Sequence, residues 1–217
     1  MKKKKITLLI YAMILTVFSF IIFNEDEKVV EAAVTFTQEE PEGCFVGYSF
    51  GVFKDSYGNV WYNSSENGLI YKNWSVAFDC AEGLTCGRSI DQDVNGYIWI
   101  SNNDDFRQIT QINPNTNEIM KIIGNSYGTG EGQFKALSGI TIDNNNKMWI
   151  VDELQNRITR YDINTDTYSV FNPSLALNCP FEIDCDSLGN LWIADSGNNR
   201  IIKYNPVTQS CTAYGSL

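Results

Sequence analysis

The side chains able to do chemistry in this chain are carboxylates, amides and cysteines, because its 217 residues include no histidine. One pattern occurs four times: an Asp stands six residues before a Trp, with a turn-forming stretch between them. These aspartates are Asp55, Asp93, Asp143 and Asp186. Three residues after each Trp comes another polar side chain, which is Ser64, Asn102, Asp152 or Asp195. Without an imidazole base, hydrolases that activate Ser or Cys through His are excluded.

The repetition of these residues favours a structural role for most of them. An Asp that opens a turn containing Gly or Asn is expected to cap its own backbone. The tryptophans recur at one strand position, which predicts that they pack between neighbouring repeats. Asp152 and Asp195 are interpreted mainly as turn caps, or as partners of Arg157 and Arg200. The tryptophans are Trp61, Trp99, Trp149 and Trp192.

The spacing of the tryptophans predicts the architecture that positions these side chains. The Trp-to-Trp distances are 38, 50 and 43 residues, and a period of this length with strand-like content is typical of β-propeller blades. The fullest repeat, 138–171, alternates between short apolar strands and turns rich in Asp, Asn and Thr. The predicted fold is all-β: a β-propeller of four-stranded antiparallel blades, with four blades detected and ring closure left open. The blades are placed at about 48–79, 88–123, 138–171 and 181–214.

The N-terminus indicates export from the cytoplasm. Four lysines, Lys2 to Lys5, precede an apolar run from Ile6 to Phe23. Such a run fits either a cleaved signal peptide or an uncleaved N-terminal anchor, and the small residues at Ala32 and Ala33 provide a cleavage site. We therefore assign residues 1–32 to the export segment, 33–47 to an N-terminal extension and 48–217 to the propeller repeats. The body of the protein is expected to be extracytoplasmic, either secreted or anchored to the membrane.

The charge of the exported part limits its partners. Beyond residue 32 the chain has 11 basic and 22 acidic side chains, a net charge of −11. Nucleic acid and anionic membrane surfaces are excluded as partners, because their phosphates require a basic surface. Cationic ligands, metal ions and basic proteins are compatible with this charge, and so is a role in solubility alone.

Six cysteines lie beyond the apolar segment, and in an exported protein an even number suggests disulfides. Cys80 and Cys86 flank a short loop that could bridge them, and a Cys44–Cys211 bond would tie the two ends of the repeat region together. Pairing of Cys179 with Cys185 is excluded if the stretch between them is extended. A zinc site is disfavoured because the chain has neither Cys-x-x-Cys nor His.

Two stretches resemble NHL repeats. Tyr127-Gly-Thr-Gly-Glu-Gly-Gln-Phe134 and the strand Met148-Trp-Ile-Val-Asp152 are similar to an NHL linker and strand, and 191–201 is closer still. The first two copies are more similar to virginiamycin B lyase-like propellers. The resemblance implies a propeller that is mostly a binding scaffold. The lyases of this group depend on His, so their activity is not carried over.

Gluconolactonase-like propellers provide an alternative enzymatic interpretation. The resemblance to them implies a central divalent metal held by carboxylate and amide groups, for which Ca²⁺ or Mg²⁺ is suited. The candidate ligands are Asn102, Asp152 and Asp195. The alternative function is therefore a metal-dependent, lactonase-like hydrolase, whereas the main interpretation requires no cofactor.

The favoured function is an exported, non-catalytic module that binds a protein, peptide or glycan. In a propeller, the turns between second and third strands and the loops between blades emerge on one face, and loops on a rigid scaffold commonly carry binding. We expect an acidic recognition face there, formed by Asp104, Asp105, Glu131 and Glu153. If the ring of blades is open, association of the chain with itself is a further expectation.

Overall fold

The computed structural model separates the chain into two units, Met1–Phe45 and Val46–Leu217. It describes residues 51–64, 68–73, 75–78, 87–103, 107–124, 126–171 and 173–215. The first unit, with the predicted export segment, lies outside the described residues. Among the residues described, no helix is long and apolar enough to cross a membrane.

The described residues of the second unit form four sheets, each of four strands, and we call them blades 1 to 4. Each blade is an antiparallel meander in which every strand pairs with the next along the chain. The strands of blades 1 and 2 are β1 Val52–Lys54, β2 Val60–Asn63, β3 Ile70–Lys72, β4 Ser75–Phe78, β5 Gly87–Gln92, β6 Ile98–Asn102, β7 Gln108–Asn113 and β8 Glu118–Gly124. Those of blades 3 and 4 are β9 Leu137–Ile142, β10 Lys147–Asp152, β11 Arg157–Asp162, β12 Thr167–Phe171, β13 Pro180–Cys185, β14 Leu191–Asp195, β15 Arg200–Asn205 and β16 Ser210–Tyr214.

The first strand of each blade is the inner one. β9 lies against both β5 and β13, whereas the fourth strands are the most exposed. Two single-turn 3-10 helices, Glu153–Gln155 and Ser196–Asn198, connect the second and third strands of blades 3 and 4. The predicted all-β propeller of four-stranded antiparallel blades is thus confirmed.

The Asp-to-Trp pattern closes the first turn of every blade in the same way. In blade 2, one carboxylate oxygen of Asp93 accepts the backbone N–H groups of Asn95 and Tyr97, at 2.9 and 3.0 Å. The other oxygen accepts the indole N–H of Trp99 at 2.9 Å. The other three blades repeat these contacts, with indole-to-carboxylate distances of 2.8 to 3.1 Å. The interpretation of these aspartates as turn caps is confirmed.

Apolar clusters hold neighbouring blades together. We call the side of a sheet that bears its Trp the trailing face, and the opposite side the leading face. The trailing face of blade 2, with Trp99 and Ile109, packs on Ile140 and Met148 of the leading face of blade 3. Equivalent clusters join blade 1 to blade 2 and blade 3 to blade 4. Trp61, Trp99 and Trp149 are almost fully buried, which stabilises the fold by roughly 4 to 6 kcal/mol per side chain at most.

Candidate functional site

The polar residues that follow each Trp by three positions are buried anchors in blades 3 and 4. Asp152 is fully buried and accepts the backbone N–H groups of Lys135 and Ala136, both at 3.0 Å. Asp195 is also fully buried and accepts the backbone N–H of Asn178 at 2.7 Å and Nε of Arg200 at 2.7 Å. Each carboxylate therefore fixes the loop that enters its blade and pairs with its arginine, whereas neither side chain caps the backbone of the 3-10 turn that follows it, so the interpretation of these residues as turn caps is wrong.

Blades 1 and 2 have neutral side chains at this position. Asn102 is fully buried, and its amide nitrogen lies 3.5 Å from the Thr110 hydroxyl. The oxygen of Asn102 and the hydroxyl of Ser64 are buried without a hydrogen-bond partner. The candidate metal ligands Asn102, Asp152 and Asp195 thus end the second strands of three different blades. Within the ranges that the structure describes, no group of three His, Cys, Asp or Glu side chains is placed to hold a metal ion.

Two of the four residues proposed for the acidic recognition face lie in adjoining segments. The interblade loop 126–135 carries Glu131 at an exposed position, and the 3-10 turn carries Glu153. Gln155 of that turn donates to the carbonyl of Gly128 at 3.0 Å. Arg157 donates to the carbonyls of Thr129 and Gln133, at 3.1 and 2.7 Å. Asp104 and Asp105 lie outside the described residues.

The three described cysteines form no disulfide with one another. Cys179, Cys185 and Cys211 are free thiols, and Cys179 is exposed at the start of an extended strand. Cys44, Cys80 and Cys86 lie outside the described residues, so the Cys80–Cys86 bond stays a prediction, whereas Cys211, the predicted partner of Cys44, is a free thiol in this structure. Burial and the surrounding aspartates raise the pKa of the Cys185 thiol to about 12. That thiol is therefore protonated at neutral pH and is a poor nucleophile.

A further polar group, which sequence reasoning missed, lies on the inner strands. We call it the axial cluster, and it consists of Ser89 and Asp91 on β5, Thr141 on β9, and Glu182 and Asp184 on β13. The Ser89 hydroxyl lies 3.2 Å from Oε1 of Glu182, so it links blade 2 to blade 4. One oxygen of Asp91 accepts the backbone N–H of Ile142 on β9 at 2.6 Å. The Thr141 hydroxyl lies near both Asp91 and Asp184 and opposes the rise in the pKa of each carboxyl.

The three carboxyls of the axial cluster hold their protons more tightly than ordinary carboxyls do. Burial raises the pKa of Asp91 to about 7, against the opposing effect of its backbone hydrogen bonds, and the charge of Asp184 adds to the rise. Burial also raises the pKa of Glu182 to about 7, with further increases from Asp184 and Asp91. The pKa of Asp184 is raised by burial and by Asp186. Asp91 and Glu182 therefore exchange protons near neutral pH, the range required for general acid–base chemistry.

The sequence does contain a signal for the axial cluster. Its members stand ten or eight residues before the Trp of their blade, at alternate positions of an inner strand. Alternate residues of a strand share one face, so these positions line the centre of the array. The equivalent residues in the other blades are Gly51, Phe53 and Gly139. Because the position varies between blades, a search for repeated residues passes over it.

Gly139 makes room for the axial cluster, and its replacement is expected to be costly. A Cβ at this position would lie 2.5 Å from Oε1 and 2.8 Å from Cα of Glu182. The second of these atoms belongs to the backbone and cannot move aside alone. We expect Gly139→Ala to lower the free energy of unfolding by about 1 to 3 kcal/mol, measured by urea denaturation.

Ser89 provides the matched control, because it occupies the equivalent position of blade 2 and already has a Cβ. Ser89→Ala removes only the hydroxyl and is expected to cost about 1 kcal/mol or less. Equal losses for the two variants would contradict the tight packing of β9 against β13.

Comparison with known proteins places this geometry in a fold group. No family model and no curated protein matches the chain. Among solved structures, a chain of the nidogen/laminin complex is similar, with 18% identity, a TM-score of 0.67, and coverage of 79% of this chain and 65% of that one. The fold is that of an NHL-like β-propeller.

Two lyase structures are similar to this propeller. A streptogramin B lyase has 17% identity and a TM-score of 0.61, and the match covers 77% of this chain and 54% of the lyase. The virginiamycin B lyase from Staphylococcus aureus has 19% identity and a TM-score of 0.61, with 88% and 61% of the two chains covered. The propeller chain thus spans between half and two thirds of the length of these structures. At such identities the likeness concerns the fold alone.

Proposed function

We propose that this propeller is an extracytoplasmic, non-catalytic binding module whose partner is a basic protein or peptide. The observation that carries the proposal is the anchored loop 126–135. Asp152, Gln155 and Arg157 hold its backbone, while Glu131 remains exposed on it. A loop fixed before binding loses little conformational entropy when a partner docks, which favours affinity.

Charge supports the choice of a basic partner. The exported part has twice as many acidic as basic side chains, and an acidic surface accelerates the approach of a cationic partner. Glu153 belongs to the 3-10 turn that adjoins the anchored loop, and the sequence predicts that Asp104 and Asp105 share the same face. The nidogen/laminin complex, in which one protein is held by another, supports protein binding as a use of this fold.

Neutralising this face is expected to weaken the binding of basic peptides. The variant combines Asp104→Asn, Asp105→Asn, Glu131→Gln and Glu153→Gln. We expect it to bind a fluorescent Lys- and Arg-rich peptide at least about tenfold more weakly at low salt, measured by fluorescence polarisation. The wild-type affinity is expected to fall as salt rises, because exposed charges are screened.

The control removes two charges at the opposite ends of the blades. Glu118 and Asp166 lie at turns between third and fourth strands, so Glu118→Gln/Asp166→Asn changes charge without touching the proposed face. We expect this control to alter the affinity by less than about threefold. Unchanged affinity in the fourfold variant, or equal losses in both, would exclude the proposed face.

A further inference from the structure

Two large apolar side chains are exposed on the segments that carry the proposed binding face. Tyr127 belongs to the anchored loop and Leu154 to the 3-10 turn of blade 3, and each is 61% exposed. The bond from Nε2 of Gln155 to the carbonyl of Gly128, at 3.0 Å, joins loop and turn next to both residues. Loop and turn therefore present an aromatic and an aliphatic side chain as well as carboxylates.

The fold does not require an apolar side chain at position 154. The corresponding turn of blade 4 has Gly197 there, and it ends at Asn199 with a φ of 50°, against 51° for Asn156 in blade 3. The same local geometry thus forms without a side chain at this position. Leu154 also belongs to none of the apolar clusters that join the described blades. Its exposure is therefore not explained by folding.

The anchored loop fixes the position of Tyr127. The backbone of Tyr127 forms a parallel β-bridge with that of Phe134, which is fully buried. The guanidinium of Arg107 lies 5.1 Å from the centroid of the Tyr127 ring, and Nε of Arg107 donates to the carbonyl of Lys135 at 2.9 Å. An aromatic side chain held in this way loses little freedom when a partner contacts it, and such side chains commonly dominate binding energy.

Arg107 also decides which kind of partner side chain suits the ring. Its guanidinium already provides a cation at the aromatic ring. A Lys or Arg of a partner at the same ring would be repelled by this guanidinium, because like charges a few ångströms apart oppose each other. An apolar side chain meets no such repulsion and is stabilised by leaving water. Basic side chains of the same partner are attracted to Glu131 and Glu153 instead.

We propose that the partner of this face is a peptide segment in which an aliphatic or aromatic residue lies between basic residues. The apolar side chain packs on Tyr127 and Leu154. The Lys or Arg side chains lie near Glu131 and Glu153. An apolar centre with a charged surround is the usual arrangement of protein interfaces. The inference rests on the proposed binding of a basic partner, and it adds an apolar residue to what the partner must contain.

The experiment compares two fluorescent peptides with the same Lys and Arg residues, which differ only in having Leu or Ser at the centre. We expect the wild-type chain to bind the Leu peptide at least about fivefold more tightly, measured by fluorescence polarisation. In Tyr127→Ser/Leu154→Ser this preference should fall below about twofold, with the affinity for the Ser peptide nearly unchanged. Tyr127→Phe retains the ring and should keep the wild-type preference.

The matched control is Val94→Ser/Leu188→Ser, which also removes two exposed apolar side chains. Val94 and Leu188 are 61% and 68% exposed, and they lie in the first turns of blades 2 and 4. Because consecutive strands of a blade are antiparallel, these turns lie at the opposite end of the blades from the 3-10 turns. The control should therefore keep the preference for the Leu peptide. Thermal unfolding checks that every variant folds.

Each possible failure has a distinct meaning. Equal affinity of the wild-type chain for the two peptides would overturn this inference and leave the binding of basic peptides intact. A preference for Leu that persists in Tyr127→Ser/Leu154→Ser, or that the control loses to the same extent, would overturn it as well. Failure of both peptides to bind the wild-type chain would overturn the proposed function and this inference with it.

Discussion

The double variant Asp91→Asn/Glu182→Gln is expected to unfold at a higher temperature than the wild-type chain at about pH 8, and at nearly the same temperature at about pH 4.5. Both carboxyls belong to the axial cluster, where burial raises each pKa to about 7. At pH 8 the wild-type fold must hold two ionised carboxylates close to Asp184. The amides retain the shape of the side chains without that charge.

The direction in which stability changes with pH follows from proton linkage. Each pKa is higher in the folded chain than the ordinary value of the group, so the folded state binds more protons between about pH 4 and pH 7. The stability that these protons provide is complete below about pH 4 and is lost as the pH rises through 7. The loss is on the order of 4 kcal/mol for each carboxyl, because each pKa rises by roughly three units and one unit corresponds to about 1.4 kcal/mol.

Other carboxylates limit the stability at low pH. Burial alone would raise the pKa of Asp55 and of Asp186, but hydrogen bonds from their turn and from the Trp hold it below the ordinary value. The pKa of Asp162 is lowered by Lys147, and that of Asp166 by Tyr161 and Lys121. These groups lose their contribution as the pH falls below about 4. Maximal stability is therefore expected near pH 5.

Thermal unfolding between about pH 4 and pH 8, followed by circular dichroism, measures the profile. Glu118→Gln is the control for the loss of one exposed acid, and it should reproduce the wild-type profile. A wild-type stability that rises steadily from pH 5 to pH 8 would contradict the assignment of raised pKa values to Asp91 and Glu182. A profile unchanged in the double variant would do the same.

Asp152→Ala is expected to lower the free energy of unfolding by about 3 to 5 kcal/mol. The carboxylate is fully buried and accepts two backbone N–H groups of the interblade loop. Its removal leaves those donors unpaired, and it also leaves Arg157, whose Nη2 lies 3.8 Å from the carboxylate, without its opposite charge. Urea denaturation measures the stability, and hydrogen exchange at 126–135 measures the loosening of the loop.

Glu153→Ala is the matched control, because it removes a carboxylate from the adjacent residue. Glu153 is partly exposed, and we assign it to binding rather than to folding. Its removal is expected to change the stability by less than about 0.5 kcal/mol and to weaken binding of the basic peptide. If both variants lost the same stability, Asp152 would not be the specific anchor of the loop.

The repeated residues were the predictable part of this molecule. Trp99 and Asp93 recur with their neighbours in every blade, so their spacing specified the strands, the first turns and the packing between blades. The propeller fold could be predicted from the sequence because the turn residues and the apolar alternation both indicate the same strands. The pairing of Asp195 with Arg200 could also be predicted, since the two residues are separated by one tight turn.

The centre of the array was not predictable by the same means. Asp91 and Glu182 are separated by most of two blades, and their proximity depends on the packing of β5, β9 and β13. A local sequence pattern does not indicate contacts between residues so far apart in the chain. The residue types at these positions also differ from blade to blade. The exposure of Val52 and Tyr214 was equally hard to predict, because both residues occupy positions that are apolar in every blade.

The bond from each Trp to its own Asp has a consequence for how neighbouring blades are matched to each other. Because the indole N–H is satisfied inside its own sheet, the side that meets the neighbouring sheet offers mainly hydrocarbon and aromatic surface. Different apolar side chains of a neighbouring sheet can therefore pack against this surface. Around each Trp, one apolar neighbour can replace another, whereas specific pairing between blades rests on the polar contacts elsewhere, such as the bond from the buried Ser101 hydroxyl to the carbonyl of Ser138.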